Sequence, residues 1–129
     1  MIALGNNVHI FARPMRRDAL KWLFETVLQC GPVVTVDHPG MAAPILVVRL
    51  PGGGSVSMEF IEDAADADQP RFATWLELRT AEPAALMRTV LEAGLKEVKH
   101  PGHTYYFIAP GGQVFTIVPT AIRSRQGET

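Results

Sequence analysis

The chain has 129 residues, of which 47% are hydrophobic and 19% charged, with a formal net charge of -1 and a single cysteine. This is enough chain for one ordinary core. Near-neutral charge with scattered Lys and Arg excludes a nucleic-acid footprint, and no apolar run approaches the ~20 residues of a membrane span.

The first expected strand is "NVHIFARP", in which Val8, Ile10 and Ala12 alternate with His9, Phe11 and Arg13. "RRDALKWLFETVLQCG" follows as an amphipathic helix: Leu20, Leu23, Phe24, Val27 and Leu28 fall at helical spacing, Asp18 is placed to cap the start, and Gly31 to supply the left-handed residue after the end. Cys30, near that end, reads as a small packing residue rather than a nucleophile. "PVVTVDH", "PILVVRL" and "SVSMEFI" are β-branched or alternating runs bounded by Pro and Gly, and read as strands.

The same β-α-β-β-β order then repeats. "RFATWLELRT" sets Phe72, Leu76 and Leu78 against Trp75, Glu77 and Arg79. "EPAALMRTVLEAG" places Leu86, Met87, Val90 and Leu91 at one constant offset from Leu23, Phe24, Val27 and Leu28, and ends on Gly94 as the first helix ends on Gly31. "LKEVKH", "TYYFIAP" and "QVFTIVP" supply the last strands. Both halves also write His-Pro-Gly and, further on, Pro-Gly-Gly, corners in which Pro fixes φ and Gly takes conformations closed to other residues. His38 and His100 therefore read as turn residues.

The expected organisation is one α+β domain over 1–129: a βαβββ module at 6–61, an acidic linker "EDAADADQP" within 62–71, a second module at 72–119 and a polar tail at 120–129. Two copies are too few for a solenoid. The modules are expected to pair as a curved mixed sheet around a shared cavity, with the helices outside.

With a His in the first strand and "APGGQVFTIV" near the end, this arrangement resembles the vicinal oxygen chelate superfamily over roughly residues 6–119. That superfamily includes glyoxalase I, extradiol dioxygenases, methylmalonyl-CoA epimerase and the fosfomycin and bleomycin resistance proteins. It hosts several reactions, and pure binding, on one scaffold. Its metal-dependent members place a His or Glu on the first and last strand of each module. The resemblance assigns His9 and Glu59 to the first two such positions. The third falls on Thr74 or Trp75, and the fourth, where the family often carries a Glu, on Thr116. Only His9 and Glu59 are credible ligands, which is fewer than the three or more that hold a catalytic divalent metal. No cofactor is expected; Ni, Zn, Fe or Mn on His9 and Glu59 is the alternative.

Strand alternation places His9, Phe11 and Arg13 on the face away from the first helix, with Ser57 and Glu59, and places Trp75, Glu77 and Arg79 on the corresponding second face. His9, Phe11, Arg13, Trp75, Glu77 and Arg79 are therefore candidate ligand-binding residues. Charges there must be paired or solvated. Either Arg13, Arg79, Glu59 and Glu77 neutralise one another, or the two arginines hold an anion by bidentate hydrogen bonds. Glu59, His103 and Tyr106 are candidate acid–base groups; one of Tyr105 and Tyr106 must face inward, the alternative role being a packed ring. Trp22 is a candidate surface or dimer contact.

Three functions fit this reading. The first is metal-independent binding of a small, anionic or aromatic molecule between the modules. The alternative is a metal-dependent lyase, isomerase or dioxygenase using His9 and Glu59. The third is a dimerisation or regulatory domain without a ligand. The resemblance implies a homodimer. One cysteine and a start, "MIALGNNVHIF", without signal-peptide order lead to an expected cytoplasmic location.

Overall fold

The structure is a computed structural model that describes residues 1–66, 69–101 and 105–120. The chain divides into two compact units, Met1–Ala67 and Asp68–Thr129. Each holds a four-stranded mixed sheet and a helix.

In the first unit the strands are β1 (Asn7–Ala12), β2 (Val34–Val36), β3 (Ile45–Arg49) and β4 (Ser55–Phe60), ordered β1-β4-β3-β2. β1 runs parallel to β4 with His9 level with Ser57 and Phe11 level with Glu59; the other pairs are antiparallel. Ile10, Ala12, Leu46, Val48, Val56, Met58 and Phe60 are buried, as are Leu20, Leu23, Phe24 and Val27 of the helical segment. The guanidinium of Arg17, at the head of that segment, lies 4.9 Å from the Phe60 ring. This identifies the Phe60 side of the sheet as the helix face and leaves His9, Phe11, Ser57 and Glu59 on the other.

The helical segment departs from the sequence expectation at both ends. It opens with a 3-10 turn, Pro14–Arg16, continues as α1 (Arg17–Trp22) and finishes as a π turn, Leu23–Val27. Asp18 lies in the first turn but caps nothing. The left-handed residue that follows is Gln29, at φ 53°, with Gly31 a second one at φ 97°. The π turn explains the early exit, because its wider winding carries the chain past the α register while Cys30 N still bonds back to Phe24 O. Burial pushes the Cys30 thiol pKa up, as expected of a packing residue.

The start of the acidic linker is bound to the first unit. Ala64 is buried, Arg13 Nε donates to its carbonyl at 2.7 Å, and Arg16 grips both oxygens of Asp66 at 2.8 and 2.9 Å.

In the second unit the strands are β5 (Trp75–Thr80), β6 (Lys96–Glu97), β7 (Tyr106–Ile108) and β8 (Val114–Pro119), ordered β5-β8-β7-β6, with β5 parallel to β8. Phe72, expected in the first of these strands, lies in a 3-10 turn at Pro70–Phe72 and is exposed. Helix α2 (Pro83–Glu92) buries Met87 and Val90, and Gly94 at φ 96° ends it as expected, its N–H returning to Leu91 O. Beneath it Phe107 and Phe115, both fully buried, meet edge to face at 5.4 Å.

The Pro-Gly-Gly corners are alike in both units: Leu50 N bonds to Gly54 O as Ala109 N does to Gln113 O. The first His-Pro-Gly is a turn closed by Met41 N on His38 O; the second runs into residues outside the described ones. No helix among the described residues is long and apolar enough to cross a membrane.

Candidate functional site

The helix-free face of the first sheet carries a continuous chain of polar side chains. Ser55 Oγ donates to Asn7 Oδ1 at 2.7 Å, and Asn7 Nδ2 donates to Ser57 Oγ at 3.1 Å. Ser57 Oγ lies 2.6 Å from His9 Nδ1, and His9 Nε2 lies 2.8 Å from Glu59 Oε1. Ser57 accepts from Asn7 and keeps its own proton available for His9 Nδ1, an arrangement that pairs with an Nε2–H donating to the Glu59 carboxylate. The parallel register makes this possible, because level residues on β1 and β4 bring His9 over Ser57 and leave Glu59 one step further along the same face.

Phe11 stands beside His9 with ring centroids 5.0 Å apart, edge to face, and is itself 47% exposed. The His9 and Glu59 side chains keep 35% and 25% exposure. Ser57, by contrast, is buried. The polar chain thus has a buried middle, Ser57, that orients His9, and a reachable end, His9 and Glu59, that can meet a ligand. Asn7 and Ser55 were not legible as members, since a short polar residue on a strand carries no signal until its cross-strand neighbour is known.

Within the first unit Arg13 and Glu59 have other partners than each other. Glu59 pairs with His9 and Arg13 binds the Ala64 carbonyl. Glu77 and Arg79 are exposed on β5.

The two sheets share one register, and it revises the correspondence between them. Ser55 N bonds to Asn6 O as Val114 N does to Thr74 O, and Ile61 N to Ala12 O as Thr120 N to Thr80 O. Asn7–Ala12 therefore matches Trp75–Thr80, and Ser55–Phe60 matches Val114–Pro119. The counterpart of His9 is Glu77 rather than Thr74 or Trp75, that of Ser57 is Thr116, and that of Glu59 is Val118. The strand-to-helix connection is longer in the first unit, which holds the turn Pro14–Arg16 between β1 and α1.

As a metal site the first sheet offers one imidazole and one carboxylate, already bonded to each other. Among the described residues no group of three or more His, Cys, Asp or Glu gathers to hold an ion. This donor set does not fit a catalytic divalent metal.

In the second unit Trp75, His100 and Tyr106 form a mutual edge-to-face cluster, with centroids 4.9 to 5.2 Å apart. Tyr106 is the inward tyrosine; its ring is buried against Val98 and Val114. His100, read from sequence as a turn residue, is part of this cluster, while His38 has no such role. His103 lies outside the described residues.

This pair of β-α-β-β-β units, each with its parallel outer strand pair, is the fold of the vicinal oxygen chelate superfamily, the glyoxalase/bleomycin resistance/dioxygenase fold. No protein-family model matches the chain, and no curated protein matches it in sequence. Solved structures do match. The trypanothione-dependent glyoxalase I of Leishmania major aligns over 95% of this chain and 91% of its own at a TM-score of 0.71 and 8% identity. The fosfomycin resistance protein FosX of Mesorhizobium loti aligns over 98% and 99% at 0.64 and 14% identity. A glyoxalase/bleomycin resistance protein/dioxygenase superfamily member of Sphaerobacter thermophilus aligns over 92% and 98% at 0.63 and 17% identity.

Proposed function

We propose that the protein binds a small organic molecule on the helix-free face of its first sheet, and that Glu59 and His9 exchange a proton or hydrogen bond with it there. The observation that carries this reading is the chain from Ser55 through Asn7, Ser57 and His9 to Glu59. Five polar side chains aligned on a sheet face contribute modestly to folding, since each hydrogen bond adds only about 1 kcal/mol net. They do fix one imidazole and one carboxylate in a single orientation, which is what acid–base work requires.

Within this reading Glu59 accepts a proton or a hydrogen bond from the ligand. His9, held by Ser57 on its far nitrogen, stabilises the carboxylate through Nε2–H and keeps it aimed. Phe11 supplies an apolar wall for the ligand's body. Tyr106 is better assigned to packing than to catalysis, because its ring is enclosed by Val98 and Val114.

Thermal-shift screening of small aromatic and anionic compounds tests the proposal. A ligand at about 100 times its Kd adds about 2.7 kcal/mol of stability. The shift should shrink in Glu59→Gln and His9→Ala, whereas an undiminished shift in both, or no shift from any compound, rejects the site.

A further inference from the structure

We infer that the ligand class selected by the His9 and Glu59 site is a hydrophobic cation, a primary ammonium on a small aliphatic body. That class, which rests on the proposed reading of the site, follows from how the helix-free face continues beyond the polar chain. Ser57 is level with His9 on one side and with Val47 on the other, and Val47 is level with Val34. One row thus crosses the sheet from imidazole to hydroxyl to two valines, since level residues on neighbouring strands share a face. In the next row Glu59 is level with Phe11, and Leu46 opposite Met58 sets Ile45 on the other side of Glu59, with Val36 beyond it.

The apolar half of the face is a shelf of β-branched side chains. Ile45 is buried, Val47 and Val36 are half-buried, and Val34 is 54% exposed. Val47 stands one strand over and two residues back from Glu59, about 8 Å away by the sheet spacings, within reach of a small body held at the carboxylate. Valine and isoleucine are stiff at χ1, so covering them costs little rotamer freedom while removing apolar surface from water.

The polar half lacks a cation. Among the described residues Glu59 has one partner, His9 Nε2 on Oε1, and an imidazole whose Nδ1 accepts from Ser57 brings a proton to that oxygen but no charge. The cations of the first unit are engaged elsewhere or distant. Arg13 Nε donates to Ala64 O, Arg16 grips Asp66, Arg17 lies over Phe60 on the helix face and Lys21 belongs to α1. Arg49 is level with Ser55, at the far end of β4 and about 13 Å along the strand from Glu59. An anionic ligand would meet the Glu59 carboxylate with no guanidinium beside it, and a neutral donor would leave the charge unmatched. An ammonium supplies both a charge-assisted hydrogen bond to Oε2 and a body that covers the valines.

Calorimetric titration at neutral pH with three probes that share one ring tests this: cyclohexanemethylamine, cyclohexanemethanol and cyclohexanecarboxylate. The ammonium should saturate, the alcohol should bind about tenfold more weakly and the carboxylate should not bind. Glu59→Gln, which keeps the shape of the side chain, should bring the ammonium down to the level of the alcohol. Val47→Thr, nearly isosteric, should weaken ammonium and alcohol alike by several-fold. Asp18→Asn removes the same charge from an exposed position on α1 and should alter neither. Alcohol or carboxylate binding as tight as that of the ammonium, ammonium affinity unchanged in Glu59→Gln, or equal losses in Glu59→Gln and Asp18→Asn overturns the cationic class. If the alcohol or carboxylate then binds in a manner that Glu59→Gln weakens, the class alone has failed and the site stands. No saturation by any of the three also overturns the class, and a thermal-shift screen with no response would add the failure of the site.

Discussion

His9 and Glu59 meet on a diagonal: His9 is level with Ser57 and Glu59 with Phe11, yet the imidazole Nε2 reaches across to Glu59 Oε1 at 2.8 Å. The contact depends on Ser57 holding Nδ1 from behind. Nitrogen-resolved NMR of the imidazole should therefore find the Nε2–H tautomer, and Ser57→Ala should erode that preference. Glu59→Gln should cost no more than about 1 kcal/mol of stability, as the pair is partly solvated. A dominant Nδ1–H form in the native protein would reverse the hydrogen-bond chain.

Two donors should not retain a metal. Protein purified without chelator and then equilibrated with Ni, Zn, Fe or Mn should carry well under one ion per chain by elemental analysis. One tightly held ion per chain, lost in His9→Ala, would restore the metal-dependent alternative.

The Arg16–Asp66 pair sets a pH dependence. Hydrogen bonding to Arg16 holds the Asp66 carboxyl below its ordinary pKa, and the Arg16 guanidinium is raised in turn. A carboxyl depressed by folding adds stability that is complete above its unfolded pKa and is lost as pH falls through the lower folded value. For Asp66 that window opens at about pH 4 and runs downward. Asp66→Asn should remove up to about 1 kcal/mol at pH 7 and flatten the stability curve below pH 4. Chemical denaturation at a series of pH values measures both effects.

Two backbone positions should respond in opposite directions. Gln29 holds φ 53°, where glycine is unstrained, so Gln29→Gly should raise stability by up to about 1 kcal/mol. Gly54 holds φ 84°, and a Cβ there would lie 3.4 Å from Asn6 O, so Gly54→Ala should cost about 1 kcal/mol. Urea midpoints should shift while the denaturant slope stays constant.

The repeated order of elements was readable in advance because it rests on local periodicity. Ile10 and Ala12 alternate with their neighbours, Leu20 to Val27 follow a helical spacing, and Gly94 stops a helix wherever it sits. The face assignment of His9, Phe11 and Glu59 came from the same alternation. The glycine expected to end the first helix was displaced to Gln29 because a π turn is not encoded in any single residue. Phe72 was misread as a strand residue because the Pro70 turn interrupts an otherwise regular alternation.

By itself the sequence determined the doubled β-α-β-β-β plan and which side chains share a sheet face, since strand and helix periods act within a few residues. Only the tertiary structure decided who partners whom. Glu59 pairs with His9 and not with an arginine, Ser57 and Asn7 join the same chain, Glu77 takes the place of His9 in the second sheet, and His100 packs on Trp75. Each of these follows from the register between strands far apart in the chain, and register is set by core packing and loop length, which no local pattern records.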